Sequence, residues 1–256
     1  MKIDINSDMG EGFGVYQLCD DAALMEVVSS ANIACGFHAG DPAIMTRMVR
    51  LAHAHGVGIG AHPGFPDRQG FGRKELPYCP EEICQQVIYQ IGALRAIAQA
   101  EGARVAHVSF HAAMGTMINR DDALAAQVMR AIAHIDPTLI IFSQPDTLIE
   151  RAAAAAGLPT LTLFLADRAY DANGRLVPRG VPGAVITGEQ AVRARVRQFL
   201  HQGTVTTLEG ERLPIRARSI LIHSDTPGSV ELARQVRSEI NANGDSIAPA
   251  AEVLAQ

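Results

Sequence analysis

The chain has 256 residues, 48% of them hydrophobic, and its 27 acidic against 22 basic side chains leave a net charge of −5. That length can bury one large core, and without a Pro/Ser-rich linker or low-complexity tract it predicts a single domain over residues 1–256. The absence of a basic cluster argues against nucleic-acid and anionic-membrane partners, and with no apolar run of bilayer length and no apolar leader after Met1-Lys2, small-molecule chemistry in the cytoplasm is expected.

In chain order, apolar β-rich runs alternate with segments of helical period. Lys2–Ile5 opens as a strand whose Asp4 and Asn6 alternate with Ile3 and Ile5, so that Asp4, Asn6 and Asp8 share one polar face, and Gly10, Gly12 and Gly14 then turn the backbone tightly beside Glu11. A helix over Asp20–Val28 follows, then a strand at Ser30–Ala34, a helix at Pro42–His55 and a strand at Gly58–Ala61. The remaining pairs are Pro80–Glu101 with strand Ala106–Phe110, Asp121–His134 with Leu139–Phe142, Asp146–Ala156 with Thr160–Phe164, and Gly188–His201 with Ser219–Ile222; Pro227–Asn241 closes the series. Several of these helices begin with Asp, Ser or Thr and an early Pro, and Gly56, Gly102, Gly157 and Gly203 stand where left-handed caps end them. Asp171–Ile186 and Gly203–Arg218 interrupt the alternation as insertions, the second with a hairpin around Glu209-Gly-Glu.

Strict alternation of strand and helix implies a parallel sheet, either closed or doubly wound. Polar residues stand just beyond every strand: Asn6 and Asp8, Gly36 and His38, His62, His111, Ser143 and Gln144, Asp167 and Arg168, His223 and Asp225. A barrel collects its site on the C-terminal rim from many strands, whereas an open sheet concentrates it at one switch point. The expectation is therefore a seven-stranded parallel barrel.

His38, within Cys35-Gly-Phe-His-Ala-Gly-Asp-Pro42, is flanked by glycines where packing gives it no purpose, while Asp41 suits a helix cap. His62 ends the third strand ahead of Pro63-Gly-Phe-Pro-Asp67. Arg68 and Arg73 lie on a glycine-rich loop; a guanidinium fork there either clamps a carboxylate or is a solvated loop charge. Asp167 and Arg168 read equally as site groups or as an ion pair. His223-Ser-Asp-Thr-Pro-Gly228 precedes a helix N-terminus suited to anions. There is no Walker loop, no dinucleotide-binding Gly-x-Gly-x-x-Gly, no Gly-x-Ser-x-Gly elbow and no Cys-x-x-Cys, so Cys19, Cys35, Cys79 and Cys84 are expected as reduced, mainly structural thiols.

Taken together, Asp-x-Asn-x-Asp-Met-Gly-Glu-Gly-Phe-Gly, Ala-Cys-Gly-Phe-His-Ala-Gly-Asp-Pro, Gly-Ala-His-Pro-Gly-Phe-Pro-Asp, Ala-Asp-Arg-Ala-Tyr, Leu-Val-Pro-Arg and His-x-Asp-Thr-Pro-Gly resemble the LamB/YcsF family over nearly the whole chain. The resemblance implies a distorted seven-stranded (β/α) barrel related to glycoside hydrolase/deacetylase barrels. It also implies ATP-dependent cleavage of 5-oxoproline to glutamate with two partner subunits related to allophanate hydrolase, ATP being used on a partner; homo-oligomerisation stays open. Two positions depart from the family pattern: Ser109 stands where the family has lysine, and Leu163 where it has glutamate.

Under that reading Asp8 with His38 or His62 supplies the general base and acid. Asn6 and His111 orient or polarise the carbonyl, and Glu11, Arg73, Asp167, Arg168, His223 and Asp225 complete the substrate-binding set. Two alternatives remain: Asp8, His38 and His62 as facial ligands of a divalent metal in a deacetylase-like hydrolase, and a non-catalytic binding or regulatory homologue, motivated by Ser109 and Leu163.

Overall fold

Residues 1–255 are described in a computed structural model. Seven parallel strands lie side by side in the order β1 (Lys2–Met9), β2 (Ser30–Ala34), β3 (Gly58–His62), β4 (Val105–Val108), β5 (Ile140–Ser143), β6 (Thr160–Leu165) and β9 (Ser219–Leu221). β9 pairs back onto β1 through Asp4↔Ser219 and Asn6↔Leu221, which closes the expected barrel. β7 (Thr204–Thr206) and β8 (Arg212–Pro214) form the antiparallel hairpin expected around Glu209.

The helices α1 (Asp21–Met25), α2 (Pro42–His55), α3 (Pro80–Ala100), α4 (Ala112–Ile118), α5 (Asp122–Ile135), α6 (Leu148–Ala155), α7 (Glu189–Gln202) and α8 (Ser229–Ala242) connect or follow the strands. In α2 the Asp41 carboxylate accepts from the Ala43 and Ile44 amides at 2.9 Å, Pro42 occupies the first turn, and Gly56 ends the helix with a left-handed backbone. Its buried stripe of Ile44, Met45, Met48, Val49 and Ala52 joins the outward-facing Ile3, Ile5, Ile33 and Ala61 of the strands in one core.

Three differences from the sequence expectation stand out. The first helix is a short turn, Asp21–Met25, because Ser29 already pairs its amide with the Ile5 carbonyl at 2.8 Å and draws the β-branched Val27 and Val28 toward β2. β1 runs on to Met9, so Asp8 sits within a strand and not beyond it. Finally, β10 (Ser246–Ile247) pairs beside the start of β1, and α9 (Ala250–Leu254) follows it.

The barrel interior is divided. β5, β6 and β9 turn Ile140, Phe142, Leu161, Leu163, Leu165 and Leu221 inward, where they meet Ala248, Ala250 and Val253 from the β10–α9 segment. The other half is polar. Asp4 accepts from the hydroxyls of Ser29 at 2.7 Å and Ser30 at 2.6 Å, and from Ser219. Asn6 donates to the Ser219 hydroxyl at 2.7 Å and accepts from Asn32 at 2.8 Å; Asn32 also donates to Asp8 at 3.0 Å. His107 reaches across from β4 and donates through Nε2 to the Asn32 side-chain Oδ1 at 2.9 Å. Burial pushes the Asp4 carboxyl upward despite its serine donors, and it lowers His107 to about 3.

His107 fits because Gly60 has no side chain: a Cβ at Gly60 would lie 2.0 Å from His107 Nε2. Gly60→Ala is therefore expected to cost about 3 kcal/mol or more in chemical denaturation, since the ring, stacked 4.3 Å from Phe142, has nowhere to go. The depressed His107 pKa also has a definite sign. The unfolded chain takes up this proton near 6.5 and the folded one near 3, so the stability held by neutral His107 is full above pH 6.5 and lost progressively as pH falls toward 3. In thermal melts, His107→Gln, which keeps a donor for Asn32, should flatten the pH dependence within that window.

Candidate active site

The C-terminal rim of the barrel brings together side chains far apart in sequence. Glu11 comes from the loop after β1, His38 from the β2–α2 connection, His62 from the last residue of β3, and His111 from the residue before α4. All four are buried, and one donor atom from each lies within 4.8 Å of all the others. His38 Nε2 is 3.1 Å from Glu11 Oε1, His111 Nδ1 is 3.3 Å from the same oxygen, and His62 Nε2 is 3.0 Å from His111 Nδ1. The His38 and His111 rings stack in parallel at 3.7 Å. Asp8 borders the group, with Oδ1 3.5 Å from His62 Nε2.

Backbone contacts fix two of the tautomers. His62 Nδ1 is 2.6 Å from the Ser109 carbonyl oxygen and His111 Nε2 is 2.8 Å from that of Phe71. A carbonyl only accepts, so each of these nitrogens carries the proton and the other nitrogen of each ring turns a lone pair toward the centre. His38 differs in that its Nδ1 is buried with no partner among the described residues.

The loop between β3 and α3 lies directly on this cluster. Phe71, with a left-handed backbone (φ 54°), sets its ring edge-on to His38 and His111. A Cβ on Gly72 would come within 2.7 Å of His38 Cβ and 2.9 Å of His111 Cδ2, so only glycine allows this approach. Arg73 then donates to Asp225, on whose other oxygen Arg179 closes at 3.5 Å. Arg68 turns aside to the Gly36 carbonyl and the Phe13 ring.

Other expected site residues have different partners. Asn6 is fully buried below the rim, its amide committed to Ser219 and Asn32, so its contribution is to support Asn32 and Asp8 and not to reach a ligand. Asp167 is engaged by His223, Nδ1 to Oδ1 at 2.9 Å, and by Thr226 at 2.6 Å; the alternative ion pair with Arg168 does not form. Arg168 instead donates to the Val177 and Ala184 carbonyls and anchors the 171–186 insertion. The insertion's partners could not be read from the sequence, because backbone carbonyls leave no residue-type signal.

Burial sets the charge of the cluster. It drives Glu11 well above its usual value, helped by the nearby Asp8 and Asp225, and holds His38 and His111 well below 6.5. His62 is also lowered by burial, although Asp8 opposes. His223 shows the reverse: burial would lower it, but Asp167 outweighs burial and raises it. Burial likewise raises Asp225, yet Arg73 and Arg179 prevail and hold it low.

A family model described as the LamB/YcsF family matches residues 3–255. The chain belongs to the LamB/YcsF family. Among LamB/YcsF relatives, a Pectobacterium atrosepticum protein named as the A subunit of 5-oxoprolinase is 72% identical over 255 residues, covering 100% of this chain and 99% of that protein. A second such A subunit, from Agrobacterium fabrum, is 66% identical over 98% of this chain and 99% of its own length. A lactam utilization protein from Thermus thermophilus superposes with a TM-score of 0.91 at 41% identity, over 97% of this chain and 99% of that one. At the level of fold alone, a GH113 β-1,4-mannanase matches with a TM-score of 0.54 at 9% identity, over 94% of this chain and 100% of that one, consistent with the barrel.

The two positions at which the resemblance implied a departure, Ser109 and Leu163, are placed differently. Ser109 is at the site, its carbonyl orienting His62. Leu163 faces the apolar half of the interior beside Phe142 and Leu221, where a lone carboxylate would be buried without a partner. An open cleft of about 510 Å³ lies between the first turns of α7 and α8, lined by Thr187, Gly188, Pro227, Gly228 and their neighbours, and none of the cluster histidines borders it.

Nitrogen-detected NMR of the imidazoles checks these tautomers. His62 is expected as the Nδ1–H tautomer and His111 as Nε2–H. On titration His111 should protonate only well below pH 6.5, whereas His223 should do so above it. An imidazolium at His111 at neutral pH would contradict the assignment.

Proposed function

We propose that this protein binds 5-oxoproline and opens its lactam ring to glutamate as one subunit of a cytoplasmic, ATP-dependent 5-oxoprolinase. ATP is used on a partner, and the two partner subunits are related to allophanate hydrolase. The observation that carries the reading is the match between the rim and a small anionic lactam: two arginines share one carboxylate, Asp225, at the mouth, above a floor of neutral imidazoles and carboxyl groups. The 5-oxoprolinase names of relatives that align over the full length support the same assignment.

In this scheme the substrate carboxylate takes over Arg73 and Arg179 from Asp225, since a guanidinium fork fits the geometry of either carboxylate. Glu11, whose carboxyl burial pushes well above its usual range, donates in its protonated form to the lactam carbonyl oxygen and stabilises the negative charge that develops there. One water is added across the amide: its oxygen bonds to the carbonyl carbon as the carbon–nitrogen bond breaks, and the amine nitrogen gains a proton. Asp8 and His38 move those protons, Asp8 held by Asn32 and His38 lying on Glu11. An unstrained lactam resists water, so its carbonyl has to be activated; ATP used on a partner supplies that activation, its conversion to ADP and phosphate taking up a second water.

The test mixes purified protein with its partner subunits and follows 5-oxoproline and ATP. Coupled consumption is expected; no turnover with an authentic partner set that supports another family member would refute the reading. With turnover in hand, Arg73→Gln or Arg179→Gln should raise KM for 5-oxoproline roughly 10- to 100-fold, the loss of one charge-assisted contact. The same variants should leave 2-pyrrolidinone, which lacks the carboxylate, nearly unaffected.

A further inference from the structure

The centre of the cluster has more lone pairs than protons to fill them. The Ser109 and Phe71 carbonyls fix His62 and His111 so that His62 Nε2 and His111 Nδ1 face each other at 3.0 Å with no hydrogen between them. Glu11 Oε1 lies 3.3 Å from His111 Nδ1 and 3.9 Å from His62 Nε2, and His38 Nε2 lies 3.1 Å from that oxygen. One proton, on Glu11 or on His38, satisfies a single edge of this arrangement and leaves the two imidazole lone pairs opposed.

Opposed lone pairs in a buried site are stabilised by a positive centre that all of them can share. We infer that Glu11, His62 and His111 are ligands of one divalent cation of the zinc class, with His38 as the fourth.

The donor set supports that class. Two or three imidazoles and one carboxylate match zinc or cobalt(II), whereas magnesium and calcium prefer oxygen ligands throughout. Carbonyls fixing the far nitrogens of His62 and His111 are the arrangement that orients metal-binding histidines. The carboxylate is Glu11; Asp8, a ligand candidate by sequence, is held by Asn32 and borders the site. Bound there, such a cation would act as a Lewis acid toward a carbonyl in place of the Glu11 proton, and with His38 as a ligand the proton transfers would fall to Asp8, which borders the site. Cation binding at these four residues does not depend on which amide is opened, so it can fail or succeed separately from the 5-oxoprolinase reading.

The experiment uses chelator-stripped full-length protein, dialysed against Zn²⁺ or Co²⁺ and analysed for bound metal, with the visible spectrum of the Co²⁺ form recorded. About one equivalent should bind, and Co²⁺ should give the intense visible bands of a low-coordinate nitrogen and oxygen site. Glu11→Gln and His111→Gln, each confirmed folded by near-ultraviolet circular dichroism, should weaken binding at least about 100-fold, while His55→Gln, on the exposed end of α2, should not change it. Uptake that is equal in wild type and in the Glu11→Gln/His62→Gln/His111→Gln triple variant would overturn the assignment. So would a Co²⁺ spectrum of the pale octahedral kind. If the variants fail to fold, the wild type still decides: failure to take up a stoichiometric ion means that the cluster holds a shared proton and no metal.

Discussion

Asp4 is the interaction on which the barrel depends. A carboxylate buried at the centre of a sheet is costly unless its lone pairs are filled, and here Ser30 of β2, Ser219 of β9 and Ser29 supply the donors. Since β1 lies between β2 and β9, satisfying Asp4 requires both neighbours to be in register, so one buried charge ties the seam at which the sheet closes. From there the polar order passes upward through Asn6 and Asn32 to Asp8, and every donor on the way is directed by the one below it. The chemistry at the rim thus rests on a column of hydrogen bonds inside the barrel. The other half of the interior, filled by Leu161, Leu163 and Phe142, imposes no such direction.

Above this column the site is assembled by backbone as much as by side chains. The Ser109 and Phe71 carbonyls determine which nitrogen each histidine turns inward, and the loop that supplies Phe71 also brings Arg73 to Asp225. Seating of the loop and orientation of His111 are therefore one structural event. A substrate that displaces Asp225 from Arg73 acts on the same loop that fixes His111.

Much of this is legible in the sequence. Polar residues placed just after apolar runs announce His38, His62, His111 and His223, and the alternation of strands with helices announces the barrel, because both follow from local periodicity and from the rule that parallel strands display their C-terminal ends together. What escapes depends on three-dimensional neighbours. Nothing in Asp4-x-Asn6-x-Asp8 marks where the rim begins, and only the length of β1 shows that Asn6 lies beneath it. Glu11 is placed in the binding set by the sequence, but that it lies against His38 and His111 depends on how the glycine-rich loop folds back. Arg168 looks like a ligand-binding group because the carbonyls that occupy it are contributed by a later insertion. The short elements Ala112–Ile118, Ser246–Ile247 and Ala250–Leu254 are too brief to show a period of their own.

The pairing of β1 with β9 and β10 also bears on how the chain reaches this state. β1 is synthesised well before its partners on one side, Ser219–Leu221 and Ser246–Ile247. Until they arrive, Asp4 lacks its Ser219 donor and one edge of β1 is unpaired, a condition that invites pairing with other chains. Barrel closure is thus a long-range step, and non-local pairing of this kind is slow. A carboxylate in β1 is costly to bury without its donors, which opposes pairing of the open edge with another chain.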